Sequence, residues 1–308
     1  MKSIFFGLIS SLAFFILIAC SSDSESTKTQ ASTLDINTTG SGFFNFTEYQ
    51  PFQNKPIKVY YYIPENANSN TSIVFVFHGT GRNAKDYRDA AIAKANQYNF
   101  IVMAPEFSIT YFPGGDSYNL GNVFVDGDNP SPSTLNPEDE WTFSVIEPLF
   151  DYIKQALNNS SSKYHIIGHS AGGQFAHRFV MFKPNAQFDK VVSSGSGWYT
   201  ATDLNVTFPY GFKNSPLETI SLSILFSKKL YIQIGTLDND PNYPGLRHNT
   251  LSDAQGLNRF DRANYFFEKA QNLALLNNLE FNWQFYTQEN VGHDYDKAIE
   301  NAADIIFN

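Results

Sequence analysis

The stretch Tyr164–Phe175, YHIIGHSAGGQF, decides the fold of this chain. Its first half is a nearly continuous apolar run, which is typical of a strand buried on both faces of a parallel sheet. Small residues surround Ser170 at the end of this run, in the pattern Gly-x-Ser-x-Gly from 168 to 172. Apolar residues then recur at helical spacing at Phe175, Ala176, Phe179 and Val180. We therefore predict a sharp strand-to-helix turn that holds Ser170 in a strained backbone and exposes its hydroxyl.

Strand and helix patterns alternate on both sides of this turn. The predicted strands are 57–63, 72–79, 100–107, 164–170, 190–197, 229–238 and 281–288. The predicted helices are 83–98, 141–157, 172–182, 262–276 and 294–307. This alternation predicts an α/β fold with a mostly parallel central sheet and helices on both faces. In such sheets, ligands bind beyond the carboxyl ends of the strands.

The first 19 residues have the pattern of a targeting segment. Lys2 precedes a short apolar run, Ile4–Ala19, and a comfortable membrane span needs about 20 residues. Leu17-Ile-Ala-Cys20 resembles the lipobox of bacterial lipoproteins, in which cleavage before the cysteine leaves its thiol to carry lipid. The alternative is a signal anchor with an incidental cysteine. We predict residues 1–19 as a lipoprotein signal peptide and Cys20 as the lipidated residue.

The remaining chain divides into a tether and one large domain. Residues 20–42 are polar and rich in serine and threonine, which predicts the lipidated cysteine followed by a flexible tether. Residues 43–308 are enough for a single domain with a substantial core. The net charge of −9 argues against nucleic acid as a partner and against a basic membrane-docking face.

The residue inventory also limits the chemistry. Cys20 is the only cysteine, so no internal disulfide, cysteine metal site or cysteine nucleophile is expected. We interpret Asp126 and Asp128, in the sequence DGDN, as turn-forming residues rather than calcium ligands. Phosphate-loop and zinc-site patterns are absent from the sequence. We therefore expect no metal and no cofactor.

Four short motifs follow predicted strands, and all four carry polar or catalytically competent side chains. They are HGTG (78–81), GHSAGG (168–173), GTLD (235–238) and VGHD (291–294). In combination and in order, they make the chain similar to α/β-hydrolases, over residues 57–308. More narrowly, the chain resembles secreted bacterial esterases, the polyhydroxybutyrate depolymerase-like and feruloyl esterase-like proteins. The stretches SGSGWYT (194–200) and FPYG (208–211), together with residues 246–267, carry this narrower resemblance.

The resemblance implies that Ser170 is a nucleophile, which needs a base because a serine hydroxyl is weakly nucleophilic at neutral pH. Downstream of Ser170 the chain has three histidines, His177, His248 and His293. His177 lies within the helix that follows the turn, and His248 lies in a loop. His293 joins the last strand to the last helix, where its imidazole can reach the turn. We predict His293 as the base, with His248 as the alternative.

The family's chain order of serine, acid and histidine places the acid after the strand 229–238. Asp238 leaves that strand directly, and Asp240 precedes Pro241 in a pattern typical of turns. We predict Asp238 as the acid, with Asp240 as the alternative, in the role of fixing the tautomer of the imidazole.

An oxyanion hole is also implied by the resemblance. Its two backbone N–H groups are expected from Ala171, which follows the nucleophile, and from Thr80 in the HGTG loop, with Gly81 in reserve. We interpret His78 as a structural residue of that loop.

Two long insertions are expected to shape the substrate site. Residues 108–140 lack periodicity and leave the carboxyl end of the strand 100–107, so they should form one wall of the cleft. The second insertion, residues 198–228, starts at Trp198 and Tyr199. We predict Trp198, Tyr199 and Tyr118 as substrate contacts, with Tyr111, Phe112 and Phe124 as further candidates. Residues 220–226 fit either a lid helix or part of the core.

The predicted function is hydrolysis of carboxylic esters through an acyl-enzyme, on a small molecule or an acylated polymer. Acyl transfer and peptide hydrolysis use the same triad and remain alternatives, as does a non-catalytic binding protein of the same fold. A lipid anchor implies that the protein is attached to a membrane of the bacterial cell envelope, facing the periplasm or the cell surface.

Overall fold

The computed structural model describes Met1 and residues 34–308. Cys20 and most of the predicted signal peptide and tether lie outside the described residues. Within residues 34–308, eight strands form one sheet in the order β1-β2-β4-β3-β5-β6-β7-β8. Their bounds are β1 Gly40–Phe46, β2 Ile57–Ile63, β3 Ile73–Phe77, β4 Ile101–Glu106, β5 Tyr164–His169, β6 Phe188–Ser194, β7 Lys229–Gly235 and β8 Gln284–Gln288.

The six strands from β4 to β8 in this order are parallel to one another. Strand β2 pairs antiparallel with both of its neighbours, β1 and β4. All five residues of β3 are buried, which explains why its sequence, IVFVF, has no polar alternation. Near the edge of the sheet, β2 alternates buried and partly exposed residues. The predicted fold class, an α/β-hydrolase fold with a mostly parallel sheet, is confirmed.

Helices cover both faces of the sheet. The α-helices of the described residues are α1 Ala84–Tyr98, α2 Ile146–Leu157, α3 Ala171–Phe182, α4 Leu222–Phe226, α5 Thr250–Asp253, α6 Arg259–Leu276 and α7 Tyr295–Phe307. Helices α1 and α7 pack on one face of the sheet, to which Val74 and Val76 of β3 also point. Helices α2, α3 and α6 pack on the other face, to which Phe75 and Phe77 of the same strand point. The alternating side chains of one strand thus hold the two layers together.

The folded part of the chain begins before residue 43, the boundary predicted from sequence. Gly40–Gly42 already belong to β1, which pairs with β2, and Leu34 is buried in the core. The polar composition of residues 34–42 concealed this, because an edge strand needs only some apolar side chains to pack. Phe44 and Phe46 supply them, with only 3% and 2% exposure.

Other element boundaries also differ from the predictions. The helix predicted at 141–157 begins as a 3₁₀ helix, Thr142–Val145, before α2. Residues 220–226 contain α4, whose Leu225 and Phe226 are buried in the core. No helix of residues 34–308 is long and apolar enough to span a membrane.

Candidate active site

Ser170 lies at the predicted turn between β5 and α3. Its φ of 58° and ψ of −118° place a non-glycine residue in the left-handed half of backbone space. Such a conformation costs about 1–3 kcal/mol and is kept only where its surroundings require it. Here the backbone N–H of Ser170 donates to Ser194 O at 2.9 Å, and its carbonyl accepts from Gln174 N at 3.0 Å.

The glycines around Ser170 allow β3, β5 and α3 to approach closely. A Cβ on Gly168 would lie 2.1 Å from Gly172 O, and a Cβ on Gly172 would lie 2.0 Å from Phe77 O. Both distances are far below a van der Waals contact. The small residues of the motif are therefore required by the packing of the turn, as its sequence predicted.

The structure brings Ser170, His293 and Asp238 together, although they lie on three separate loops. Ser170 Oγ donates to His293 Nε2 at 3.1 Å, and His293 Nδ1 donates to Asp238 Oδ2 at 2.7 Å. The side chain of Asp238 is 3% exposed and that of His293 is 10% exposed. This arrangement can remove the hydroxyl proton of Ser170 and stabilise the imidazolium that results.

Two further side chains support this hydrogen-bonded chain. Arg259, at the start of α6, places Nη1 3.3 Å from the second carboxylate oxygen of Asp238. Its guanidinium also lies 4.4 Å from the centre of the Tyr243 ring. That ring meets the imidazole of His293 edge-on, with 5.1 Å between the ring centres. Asp238 is therefore held by two cationic or donor groups at once, and His293 is packed from the side.

The alternative acid and bases lie in other surroundings. Asp240 Oδ1 accepts from Asn242 N at 2.8 Å, as in an Asx turn. Both ring nitrogens of His248 are engaged, with Asp253 Oδ1 and with Pro241 O, each at 2.8 Å. His177 is fully buried, and its ring contacts Gly173 O and Thr200 N.

Thr80 and Ala171 line the cavity above Ser170. Ala171 is the first residue of α3, so its N–H has no partner inside the helix. The N–H of Thr80 donates to no backbone carbonyl within residues 34–308. Both amides are thus available to an oxygen bound beside Ser170.

His78 fixes the loop that carries Thr80. Its Nδ1 donates to Gly79 O at 2.8 Å, and its Nε2 accepts from Phe107 N at 3.1 Å. Burial lowers the pKa of His78 to about 3, so the ring is neutral at physiological pH. The interpretation of His78 as a structural residue agrees with these contacts.

The cavity beside Ser170 has a volume of about 350 Å³. The insertion 108–140 contributes Gly115 and Asn119 to its wall, and the second insertion contributes Trp198. The other lining residues are Thr80, Ser170, Ala171, Gln174, Gly197, Tyr243, Pro244, Gly245, Arg247, Arg259 and His293.

Tyr118 and Tyr199 lie beneath the cavity wall, which corrects their prediction as substrate contacts. Tyr118 is 1% exposed, and its hydroxyl donates to His78 O at 2.7 Å. Tyr199 is fully buried and stacks on Phe266 with 4.5 Å between the ring centres. Phe112 and Phe124 are likewise buried in the core. Aromatic residues in a long loop can pack under it as readily as they can face a ligand, and the sequence does not separate the two.

Sequence reasoning missed the arginines of the site. Arg247 and Arg259 line the cavity; Arg247 lies between β7 and α6, and Arg259 is the first residue of α6. The only available signal was their position just after Asp238, in a loop bound to run along the carboxyl edge of the sheet.

No family model matches the chain, and none of the curated proteins is similar enough in sequence to match it. Among solved structures, poly(aspartic acid) hydrolase-1 from Sphingomonas sp. KT-1 is 35% identical, with a TM-score of 0.82. The match covers 88% of this chain and 100% of that one. The chain belongs to the α/β-hydrolase superfamily.

Two further solved hydrolases are similar to it in structure. A poly(3-hydroxybutyrate) depolymerase from Bordetella parapertussis is 29% identical with a TM-score of 0.82, over 89% of this hydrolase and 92% of that chain. An S-formylglutathione hydrolase from Staphylococcus aureus is 17% identical with a TM-score of 0.51, over 88% and 100% of the two chains, and shares the fold. The chain is thus similar to hydrolases that include a polyester depolymerase, which agrees with the hydrolase predicted from its sequence.

Proposed function

We propose that this hydrolase cleaves carboxylic esters through an acyl-enzyme on Ser170. The observation that carries the proposal is the unbroken series of hydrogen bonds from Ser170 Oγ through His293 to the buried carboxylate of Asp238. Thr80 and Ala171, whose backbone N–H groups would form the oxyanion hole, line the same cavity as Ser170 and His293.

In the first step, Ser170 Oγ attacks the ester carbonyl while its proton moves to His293 Nε2. The carbonyl oxygen becomes an oxyanion that accepts hydrogen bonds from the two amides. Asp238 holds the Nδ1–H of the ring and stabilises the imidazolium. The tetrahedral intermediate then collapses, the bond to the alcohol oxygen breaks, and His293 returns the proton to that oxygen.

In the second step, water replaces the alcohol. His293 takes a proton from the water, whose oxygen attacks the acyl carbonyl. Collapse of the second tetrahedral intermediate breaks the bond to Ser170 Oγ, which receives the proton. The products are one acid and one alcohol, and the enzyme is regenerated.

The full chain in detergent, labelled with a fluorophosphonate probe and assayed on 4-nitrophenyl esters from acetate to decanoate, tests this proposal. The wild type should label and turn over, and Ser170→Ala should do neither. Labelling of Ser170→Ala at the wild-type rate would place the nucleophile elsewhere. A wild type that neither labels nor hydrolyses any ester would contradict the proposal.

Amide hydrolysis is a second candidate, and the 35% identical neighbour favours it. That protein is a poly(aspartic acid) hydrolase, and poly(aspartic acid) is joined by amide bonds. The same triad can expel an amine, with His293 as the acid that protonates the leaving nitrogen. Assays on a 4-nitrophenyl ester and the matching 4-nitroanilide of one acid would separate the two activities. Adding an alcohol acceptor and analysing the products would reveal acyl transfer.

We further propose that the enzyme works at the bacterial cell envelope, anchored through lipid on Cys20. The support is the sequence Leu17-Ile-Ala-Cys20 after a short apolar run. Wild type should fractionate with membranes, and its mature N-terminus should have the mass of a lipidated cysteine. Cys20→Ser should lose the lipid mass, whereas Ser22→Ala should keep it. An unmodified Cys20 in the wild type would refute the anchor.

A further inference from the structure

The charged side chains around the catalytic cavity have an unexpected sign. The whole chain carries a net charge of −9, yet the permanently charged residues lining the cavity are two arginines, Arg247 and Arg259. Among the described residues, no aspartate or glutamate lines it. Asp238 offsets the charge of Arg259 directly, because the two groups lie 3.3 Å apart. The charge of Arg247 is the one that faces a ligand.

A third arginine lies directly behind the cavity wall. Arg178 of α3 is fully buried and forms no ion pair within residues 34–308. Its hydrogen bonds go to oxygens of Asn119, Gln174 and Thr200, and its Nη2 has no partner. An arginine remains protonated even when burial lowers its pKa, so an uncompensated positive charge lies under this wall. Such a charge favours an anion nearby.

Arg247 is held so that one edge of its guanidinium stays free. Nη1 donates to Asp128 at 2.7 Å and to the Tyr210 hydroxyl at 2.9 Å. Nε and Nη2 donate to no group in the described part of the chain. This free edge is the one that binds a carboxylate with two parallel hydrogen bonds. Asp128 is 49% exposed, so solvent screens its charge and it neutralises Arg247 only in part.

The indole ring of Trp198 contacts the guanidinium groups of both Arg178 and Arg247. The Arg178 guanidinium lies 4.2 Å from the centre of the indole ring and the Arg247 guanidinium lies 5.0 Å from it. Trp198 lines the cavity and is 4% exposed. Trp198 and Arg247 thus form one wall of the cavity that contains Ser170, and Arg178 lies behind this wall.

We propose that this wall is an anion subsite, and that the substrate carries a carboxylate, bound by the free edge of Arg247, on the part that packs on Trp198. This inference rests on the proposed ester hydrolysis and names its substrate class. Arg247 would set specificity, since a neutral ester leaves its free edge in water and gains nothing from it.

The test compares anionic and neutral esters of the same shape, with the full chain in detergent. Mono-4-nitrophenyl glutarate and its methyl ester differ on the acyl side, and 4-acetoxybenzoate and its methyl ester differ on the alcohol side. For each pair, kcat/KM of the anionic ester is divided by kcat/KM of the neutral ester. Comparing this ratio between enzyme variants cancels the difference in chemical reactivity between the two esters. Ser170→Ala serves as the blank for spontaneous hydrolysis.

For at least one pair, Arg247→Gln should lower this ratio about tenfold or more, and Arg247→Lys should keep an intermediate value, because lysine retains the charge without the fork. Asp128→Asn should raise the ratio about threefold, because it removes the competing carboxylate. Lys163→Gln, an equal change in charge just before the amino end of β5, should leave it unchanged. The ratio in the wild type should fall as salt is added.

A binding measurement separates failure of this inference from failure of the proposed function. In Ser170→Ala, glutarate should raise Tm more than glutaramide does at equal ionic strength, and the additional change Arg247→Gln should abolish the difference. Two results together would overturn the anion subsite, even if every ester is hydrolysed. The ratio would be the same in Arg247→Gln as in the wild type for both ester pairs, and Ser170→Ala would show no preference for glutarate over glutaramide. A glutarate preference without turnover of any ester would instead overturn the esterase proposal alone.

Discussion

The hydroxyl of Tyr87 lies 3.3 Å from Nδ1 of His169, the residue that precedes Ser170. The same hydroxyl lies 2.8 Å from the position that a Cβ on Gly79 would occupy, next to Thr80. The Tyr87 ring stacks on Tyr295 at 4.6 Å and 8°, just after His293 in the chain. One side chain of α1 therefore contacts the loops that carry the nucleophile, the oxyanion amides and the base.

We expect Tyr87→Phe to lower kcat about three- to tenfold with KM nearly unchanged. The loss corresponds to one hydrogen bond of about 0.5–1.5 kcal/mol that positions groups rather than binds substrate. Steady-state kinetics on a 4-nitrophenyl ester measures both constants. Tyr98→Phe is the matched control, because Tyr98 lies at the other end of α1 and its hydroxyl bonds Asp304 and Asn308. A Tyr87→Phe enzyme with a lower Tm and wild-type kcat would reduce Tyr87 to a purely structural role.

Ser170→Gly should abolish turnover and stabilise the fold at the same time. Glycine adopts a φ of 58° without the steric cost that serine bears, and relief of this strain is worth about 1 kcal/mol. Urea unfolding of the two proteins measures the difference. Ser170→Ala removes the same hydroxyl but keeps the Cβ, so it should show no such gain. A Ser170→Gly protein less stable than Ser170→Ala would contradict the strained turn.

Asp238→Asn should lower kcat by about 10³–10⁴-fold, because an amide holds the imidazole of His293 in the wrong tautomer. Asp240→Asn is the matched control, because Asp240 lies two residues from Asp238. The side chain of Asp240 accepts a hydrogen bond within a turn, and asparagine can accept the same bond. We expect the kcat of Asp240→Asn to stay within about twofold of the wild type, because substitutions at exposed turn positions have small effects. Equal losses in both variants would remove the distinction between the two carboxylates.

Stability should fall as the pH is lowered from about 7 to 4, because buried neutral histidines have depressed pKa values. Burial lowers the pKa of His78 to about 3 and that of His165 to about 4, and His169 and His177 shift in the same direction. The unfolded chain binds these protons near pH 6.5, whereas the folded chain does not. Each of His78 and His165 therefore costs about 2 kcal/mol of stability at pH 5.

Urea unfolding at pH 7 and pH 5 measures this effect. His165→Gln removes one titrating group from β5, so its loss of stability between the two pH values should be about 2 kcal/mol smaller than in the wild type. His248→Gln is the control, because His248 is exposed and belongs to a surface loop. An identical pH dependence in wild type and His165→Gln would contradict the depressed pKa of the partly buried His165.

Local sequence was sufficient for seven of the eight strands and for the turn at Ser170. Apolar runs such as IVFVF predict buried strands, because a parallel strand covered on both faces has no position for a polar side chain. Gly168 and Gly172 were recognisable because only glycine tolerates the backbone distances of that turn. The assignment of Ser170, Asp238 and His293 followed from the resemblance to α/β-hydrolases, because each motif lies at a strand end in the family's order.

Where the sequence pattern was weak or ambiguous, the predictions were incomplete or wrong. β1 was missed because its first residues, Gly40–Gly42, have no pattern of their own and become a strand only by pairing with β2. Tyr118 and Tyr199 were assigned to the substrate, but both lie under the cavity wall. An aromatic ring is as stable against core side chains as against a ligand, so composition does not decide between them.

The sequence by itself thus determined seven of the eight strands, the turn and the motifs at the strand ends, because each depends on residues that are neighbours in the chain. Tertiary structure alone decided which side chains surround Ser170. Arg178, Trp198 and Arg247 are distant in sequence, and their charges and ring meet only when α3 and two loops converge at one edge of the sheet. Electrostatic and packing energies depend on distances through space, which the order of residues does not specify.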